Sequence, residues 1–178
     1  LDDVEVITDI LAGRFPAPYD VNAESDDRAA EFDRLTMEQA AILSVTRLLP
    51  RVEVRGGAGT GKTALALQQA KELTRGAHGR RPQRVALLCY SIGLAEHLSR
   101  QVATWDRRHR PAFVGTFHAF GQQWGVGDGD RTDDDFWEVR LPAEMNELAT
   151  QLPDGKKYDA VIVDEGQDFA ESWWTPVL

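Results

Sequence analysis

Between Val54 and Ala66 the chain runs VRGGAGTGKTALA. Gly56–Thr63 within it satisfies the pattern G-x-x-x-x-G-K-[ST], with an alternating apolar run, RVEVR (51–55), before it and a helix-forming run, KTALALQQAKELT, after it. Glycines lack a Cβ, so consecutive backbone N–H groups can turn inward around an anion. The start of the following helix adds partial positive charge, and a lysine at the loop's end can reach the outer phosphates of a nucleotide. Gly57, Ala58, Gly59, Thr60, Gly61, Lys62, Thr63 and Ala64 are therefore the expected phosphate cradle, and the Thr63 hydroxyl stands where Mg²⁺ is expected.

Working outward, strands and helices alternate. Gly76 stops the first helix, and RVALLCY (84–90) is a near-continuous apolar run suited to a strand covered on both faces. A helix is expected from about 93 to 105, a strand at RPAFVGT (110–116) and a short helix at HAFGQQW (118–124). An exposed acidic loop, GVGDGDRTDDD (125–135), then leads to a helix that Pro142 opens and that runs to about Leu152. YDAVIVDE (158–165) reads as another apolar strand, ending in two carboxylates. This alternation predicts an α/β fold of the P-loop NTPase kind, a parallel sheet with helices on both faces. Ligands of such sheets lie beyond the carboxyl ends of the strands, where the glycine loop and the acidic pair both fall. Asp164 is the expected Mg²⁺ ligand, through water, and Glu165 the group that orients or deprotonates an attacking water.

Upstream, Val4, Ile7 and Leu11 have helical spacing before Gly13, and 1–34 reads as a lead-in packing on a domain that spans 35–178. LTMEQAAILSVTRLL (35–49) reads as a helix, with Thr36 and Gln39 at capping-box spacing and Pro50 at its end.

Composition narrows the partners. With 20 basic and 29 acidic residues the formal charge is −9, a field that does not gather phosphate backbones non-specifically. The basic clusters, Arg80, Arg81 and Arg84 and the run DRRHR (106–110), read as solvated loop charge. The single cysteine, Cys89, lies in an apolar run and reads as a small buried side chain. No stretch has the apolar length of a membrane span or the pattern of a signal peptide, so the expectation is a cytoplasmic protein without a membrane partner. A start at Leu1 and an apolar end, WWTPVL, predict a piece of something longer.

The continuation DEGQDF (164–169) resembles motif II of the superfamily I helicases of the UvrD/Rep/PcrA type. In order along the chain, LTMEQAAIL resembles that family's Q motif, GGAGTGKT its motif I, LLCYSIGLAEHL its motif Ia and GTFHAF its motif Ib. The wording of motifs Ia and II looks closest to the UvrD-like ATPase domains that accompany nuclease-related domains. The resemblance implies the first RecA-like domain of a single-stranded-DNA-dependent ATPase or helicase, with ATP and Mg²⁺ as cofactors. It also implies a second RecA-like domain as partner, beyond this chain.

Carried over by position, Gln39 would recognise adenine, a role open beside its capping one. Lys62, Glu165 and Gln167 would be catalytic, Gln167 as the sensor of the γ-phosphate, and Asp168 would orient neighbouring loops. Tyr90, Ser91, Thr116 and His118 would contact single-stranded DNA, Tyr90 by stacking on a base if it is not core. Trp173 and Trp174 are open between anchoring an absent portion and packing locally. Two departures stand out. Ile92 replaces an asparagine common in motif Ia, and the span from His118 to Tyr158 is short where such helicases insert a subdomain. The first weakens the expected DNA contact, and the second keeps another reading alive: a nucleotide-binding regulatory module that switches an attached nuclease or partner without translocating.

Overall fold

A computed structural model describes residues 42, 49–57, 59–76, 81–127, 129 and 132–178. The chain divides into two compact units, Leu1–Pro50 and Arg51–Leu178. The expected lead-in, its boundary at 34, the 35–49 helix except Ile42 and Leu49, Gln39 and Ala58 lie outside the described residues.

The sheet of the second unit has three parallel strands in the order β2-β1-β3. β1 (Val85–Cys89) is central, and all five of its residues are buried. β2 (Phe113–Thr116) pairs on one side with Leu87 opposite Val114, and β3 (Ala160–Val163) on the other with Leu87 opposite Ile162. A strand this apolar needs cover on both faces, and alternate residues find it. Val85, Leu87 and Cys89 pack with Ala70 of helix α1 (Lys62–Arg75) and Leu98 of helix α2 (Ile92–Ala103). Ala86 and Leu88 face the other layer. Its core is Phe117 and Phe120 of α3 (Phe117–Gln122), Leu141 and Met145 of α4 (Leu141–Gln151), and Phe169 and Trp173. The unit is thus mixed α/β, a small parallel sheet flanked by helices.

Local chemistry sets the boundaries. Gly76 takes the left-handed conformation after α1 and donates its N–H to the carbonyls of Glu72 and Leu73. Ser91 caps α2, its Oγ accepting from Leu94 N at 3.1 Å, and Thr116 caps α3, its Oγ1 accepting from Ala119 N at 3.2 Å. α4 has proline in its first turn, as expected, and a π-helical turn, Phe136–Arg140, runs directly into it.

The strand expected at 51–55 is absent. Arg51–Gly57 lies outside any helix or strand, with Val52 and Val54 43% and 37% exposed. Alternation marks which face of a strand would be buried but supplies no neighbouring edge, and no described strand pairs with this segment.

Trp173 resolves as core. It is 3% exposed, stacks on Phe117 with centroids 4.6 Å apart and planes 5° apart, and donates its indole N–H to Trp137 O at 3.0 Å. Trp174 is half-buried and tilts against Phe169.

Candidate functional site

The glycine loop turns into α1 through two left-handed residues, Gly59 and Gly61, both with φ of 77°. A Cβ at either position would strain the backbone, so glycine is required there by conformation. Lys62 Nζ donates to the carbonyl oxygens of Gly56 and Gly57 at 3.0 and 3.1 Å, and Thr60 Oγ1 donates to Gly57 O at 2.9 Å. The ammonium therefore lies across the loop. No side chain caps the start of α1 and its first turn holds no acidic residue, so the positive end of the helix carries no countercharge of its own. Ala64 is exposed on that first turn.

Asp164 follows β3 and extends its ladder, donating its N–H to Leu88 O at 2.9 Å. The residue is 3% exposed. Its Oδ1 accepts the Glu165 N–H at 3.2 Å, while Oδ2 is enclosed without a hydrogen-bond partner. Burial pushes this carboxyl above the usual carboxylate range; the Thr63 hydroxyl facing it and, less strongly, the Lys62 ammonium oppose that push, and the Glu165 charge adds to it. The packing of α1 against β3 thus brings Thr63 and Lys62 to Asp164. An orphaned buried carboxylate oxygen is costly, and a cation beside it would remove the cost.

Glu165 is the one described non-glycine residue in the left-handed region, at φ 54°, ψ 46°. Its carboxylate accepts a hydrogen bond from Gln167 Nε2. Gly166 between them sits so close to Trp174 that a Cβ would meet the indole ring at 3.2 Å. The acid is therefore held from both sides, by its amide partner and by a turn seated on tryptophan.

Three of the four remaining candidates line a groove of about 1410 Å³ beyond the carboxyl ends of β1 and β2. Tyr90, Thr116 and His118 are on its wall, and Tyr90 is 48% exposed while stacked on Trp173 at 5.9 Å between centroids. Ser91 does not line it; its hydroxyl serves the α2 cap. Thr116 is a cap too and is buried. Burial holds His118 below its ordinary value, and its Nε2 is enclosed without a partner, the ring edge-on to Trp137 and Trp173 at 4.6 and 4.9 Å. Sequence reasoning missed Glu96, Arg100, Asp134, Trp137 and Glu138 on the same walls. A helical spacing of four placed Glu96 and Arg100 on one face of α2, but nothing in the sequence said that this face bounds a cleft.

Cys89 is buried beneath the Asp164 end of the sheet, and burial, helped by the Asp164 charge, pushes its thiol up to about 11. Several arginines of the basic clusters make local contacts, while Arg80 lies outside the described residues. Arg84 lies over the Tyr158 ring at 4.7 Å, Arg81 pairs with Asp159 at 3.4 Å, and Arg110 donates to the carbonyls of Ala103 and Trp105 at 2.7 and 2.9 Å. No described helix is long and apolar enough to cross a membrane.

Comparison with family models, curated proteins and solved structures finds no match for this chain.

Proposed function

We propose that the unit Arg51–Leu178 binds Mg²⁺·ATP and hydrolyses it, as the nucleotide-binding part of a RecA-like, superfamily I helicase-type ATPase. The observation that carries this is Asp164 Oδ2, buried and unpartnered beside Thr63 and Lys62. Among the described residues no group of three or more His, Cys, Asp or Glu side chains could hold a metal unaided. Mg²⁺ bound with a nucleotide needs no such group, since it takes one or two carboxylates and completes its shell with waters and phosphate oxygens. Asp164 and Thr63 fit that donor set, and the ion would supply charge neutralisation at the phosphates.

This chain's own residues would act as follows. The loop N–H groups and the start of α1 hold phosphate oxygens, and Lys62 exchanges its two carbonyl partners for the outer phosphates. Glu165, exchanging Gln167 for water, orients the nucleophile and accepts its proton. Completing such a site with an arginine from a partner domain is worth about 10³ to 10⁵ in rate in other NTPases, so turnover by this chain alone is expected to be slow. Lys62→Ala should abolish binding of a fluorescent ATP analogue. Glu165→Gln should keep binding and lose turnover; unchanged affinity in the lysine variant would overturn the assignment.

Two uses of the nucleotide remain in contention. Translocation on single-stranded DNA follows from the motif resemblance. A nucleotide-governed switch acting on a protein partner is favoured by one observation: among the described residues, the groove that holds Tyr90, Thr116 and His118 is edged by Glu96, Asp134, Glu138 and Asp168 against one arginine, Arg100. Stimulation of hydrolysis by an oligo(dT) strand supports the first use, and its absence the second.

A further inference from the structure

We propose that the groove at the carboxyl ends of β1 and β2 receives a cationic peptide segment with apolar anchors, carried by a protein partner, rather than the phosphate backbone of a nucleic acid. The inference rests on the switch reading above and names the partner class for it.

Shape comes first. The groove has a buried floor of Gly115, Thr116, Phe169 and Trp173, with exposed apolar surface on its wall: Tyr90, 48% exposed, and Ile92, 70% exposed. Large side chains left open beside a formed cleft are the pattern of a recognition surface rather than of a finished core. Tyr90 stacks on Trp173 of the groove floor with centroids 5.9 Å apart and stays half exposed on the wall. An aromatic face of this kind takes a guanidinium or ammonium by cation–π attraction as readily as it takes a base.

Charge then chooses between those occupants. Glu96 comes from α2, Asp134 and Glu138 from the segment entering α4, and Asp168 from the turn after Glu165, so carboxylates edge the groove from three different elements. All four are exposed, and none forms an ion pair among the described residues. A phosphate backbone laid along these walls would meet repulsion at successive positions, and Arg100 is the one arginine among the described residues that line the groove. A segment bearing arginine or lysine meets opposite charge at the same positions. The acidic net charge of −9 steers such a partner in and steers nucleic acid away.

Position gives the contact a use. Asp168, Phe169 and Ala170 line the groove, and Gly166–Asp168 is the short 3₁₀ turn that directly follows Glu165. A segment seated here presses on the turn that sets the Glu165 carboxylate.

The test uses the whole chain and two labelled probes, a short alternating arginine–leucine peptide and an oligo(dT) strand, read by fluorescence anisotropy. The peptide should bind and the oligonucleotide should not. Glu96→Gln with Glu138→Gln should weaken the peptide about fivefold to tenfold, as expected for two partly exposed charge pairs. Tyr90→Ser should weaken it about fivefold. A control pair away from the groove, Glu147→Gln with Asp154→Asn, should leave it unchanged. Tight oligo(dT) binding that Tyr90→Ser abolishes would overturn the proposal in favour of nucleic acid, and peptide binding that falls equally in the control pair would reduce it to general acidity. Binding of the fluorescent ATP analogue, measured on the same proteins, separates the two readings. Groove variants should keep it, and its loss from the unaltered chain would refute the nucleotide site while leaving the peptide result standing.

Discussion

Asp164 keeps an ionisable acid where the fold alone favours a neutral group. Because burial raises its folded value above the unfolded one, its neutral form stabilises the protein at low pH, and that contribution is lost as pH rises through the raised value. Asp164→Asn should therefore raise the Tm of the magnesium-free protein at neutral pH, with a gain that shrinks as the solution is made acidic enough to protonate the native carboxyl. The same variant should lose the magnesium-dependent part of any stabilisation by ATP. Thermal unfolding across pH, with and without Mg²⁺ and nucleotide, measures both; an asparagine variant less stable than the native chain without metal at neutral pH would count against the account. Lys62, Thr63, Asp164 and Glu165 were all legible in the sequence, since motif spacing fixes residue type and strand ends fix placement. The left-handed backbone of Glu165 and its amide partner were not, because dihedral strain leaves no periodic trace in a sequence.

At the scale of elements, the hydroxyls of Ser91 and Thr116 do structural duty. Each accepts from the backbone N–H of the third residue on, so each truncation should cost about 1 kcal/mol of stability, the usual value of such a cap. Urea unfolding of Ser91→Ala and Thr116→Ala checks this, and a loss of ligand binding in either should be judged only after that cost is known. Neither cap carries a glutamate or glutamine at the third following position, so the sequence offered no capping-box signal for them, whereas Gly76 openly marked the end of its helix; Pro142 did not mark a start, since helical backbone already runs from Asp134 into α4. The apolar strands were readable because burial on both faces demands uninterrupted hydrophobicity, as Val85–Cys89 shows. RVEVR misled for the converse reason. Its alternation is a property of one segment, while strand formation is a property of two, and Val52 and Val54 have no partner edge among the described residues.

For the whole molecule, the sequence placed the glycine loop and the acid pair on one edge of the sheet, and the packing of α1 on β3 does bring Thr63 to Asp164. The groove escaped notice because its walls come from segments far apart along the chain, and their shared polarity emerges only when Glu96, Asp134, Glu138 and Asp168 surround one space. One connection joins the two regions. The turn Gly166–Asp168 begins beside Glu165 and ends on the groove wall. Thermodynamic linkage then sets a symmetric rule: whatever factor Mg²⁺·ATP imposes on the affinity for a groove ligand, that ligand must impose on the affinity for Mg²⁺·ATP. Titrating each in the presence and absence of the other should return one number twice, and a value of unity from both directions would mean that the turn transmits nothing.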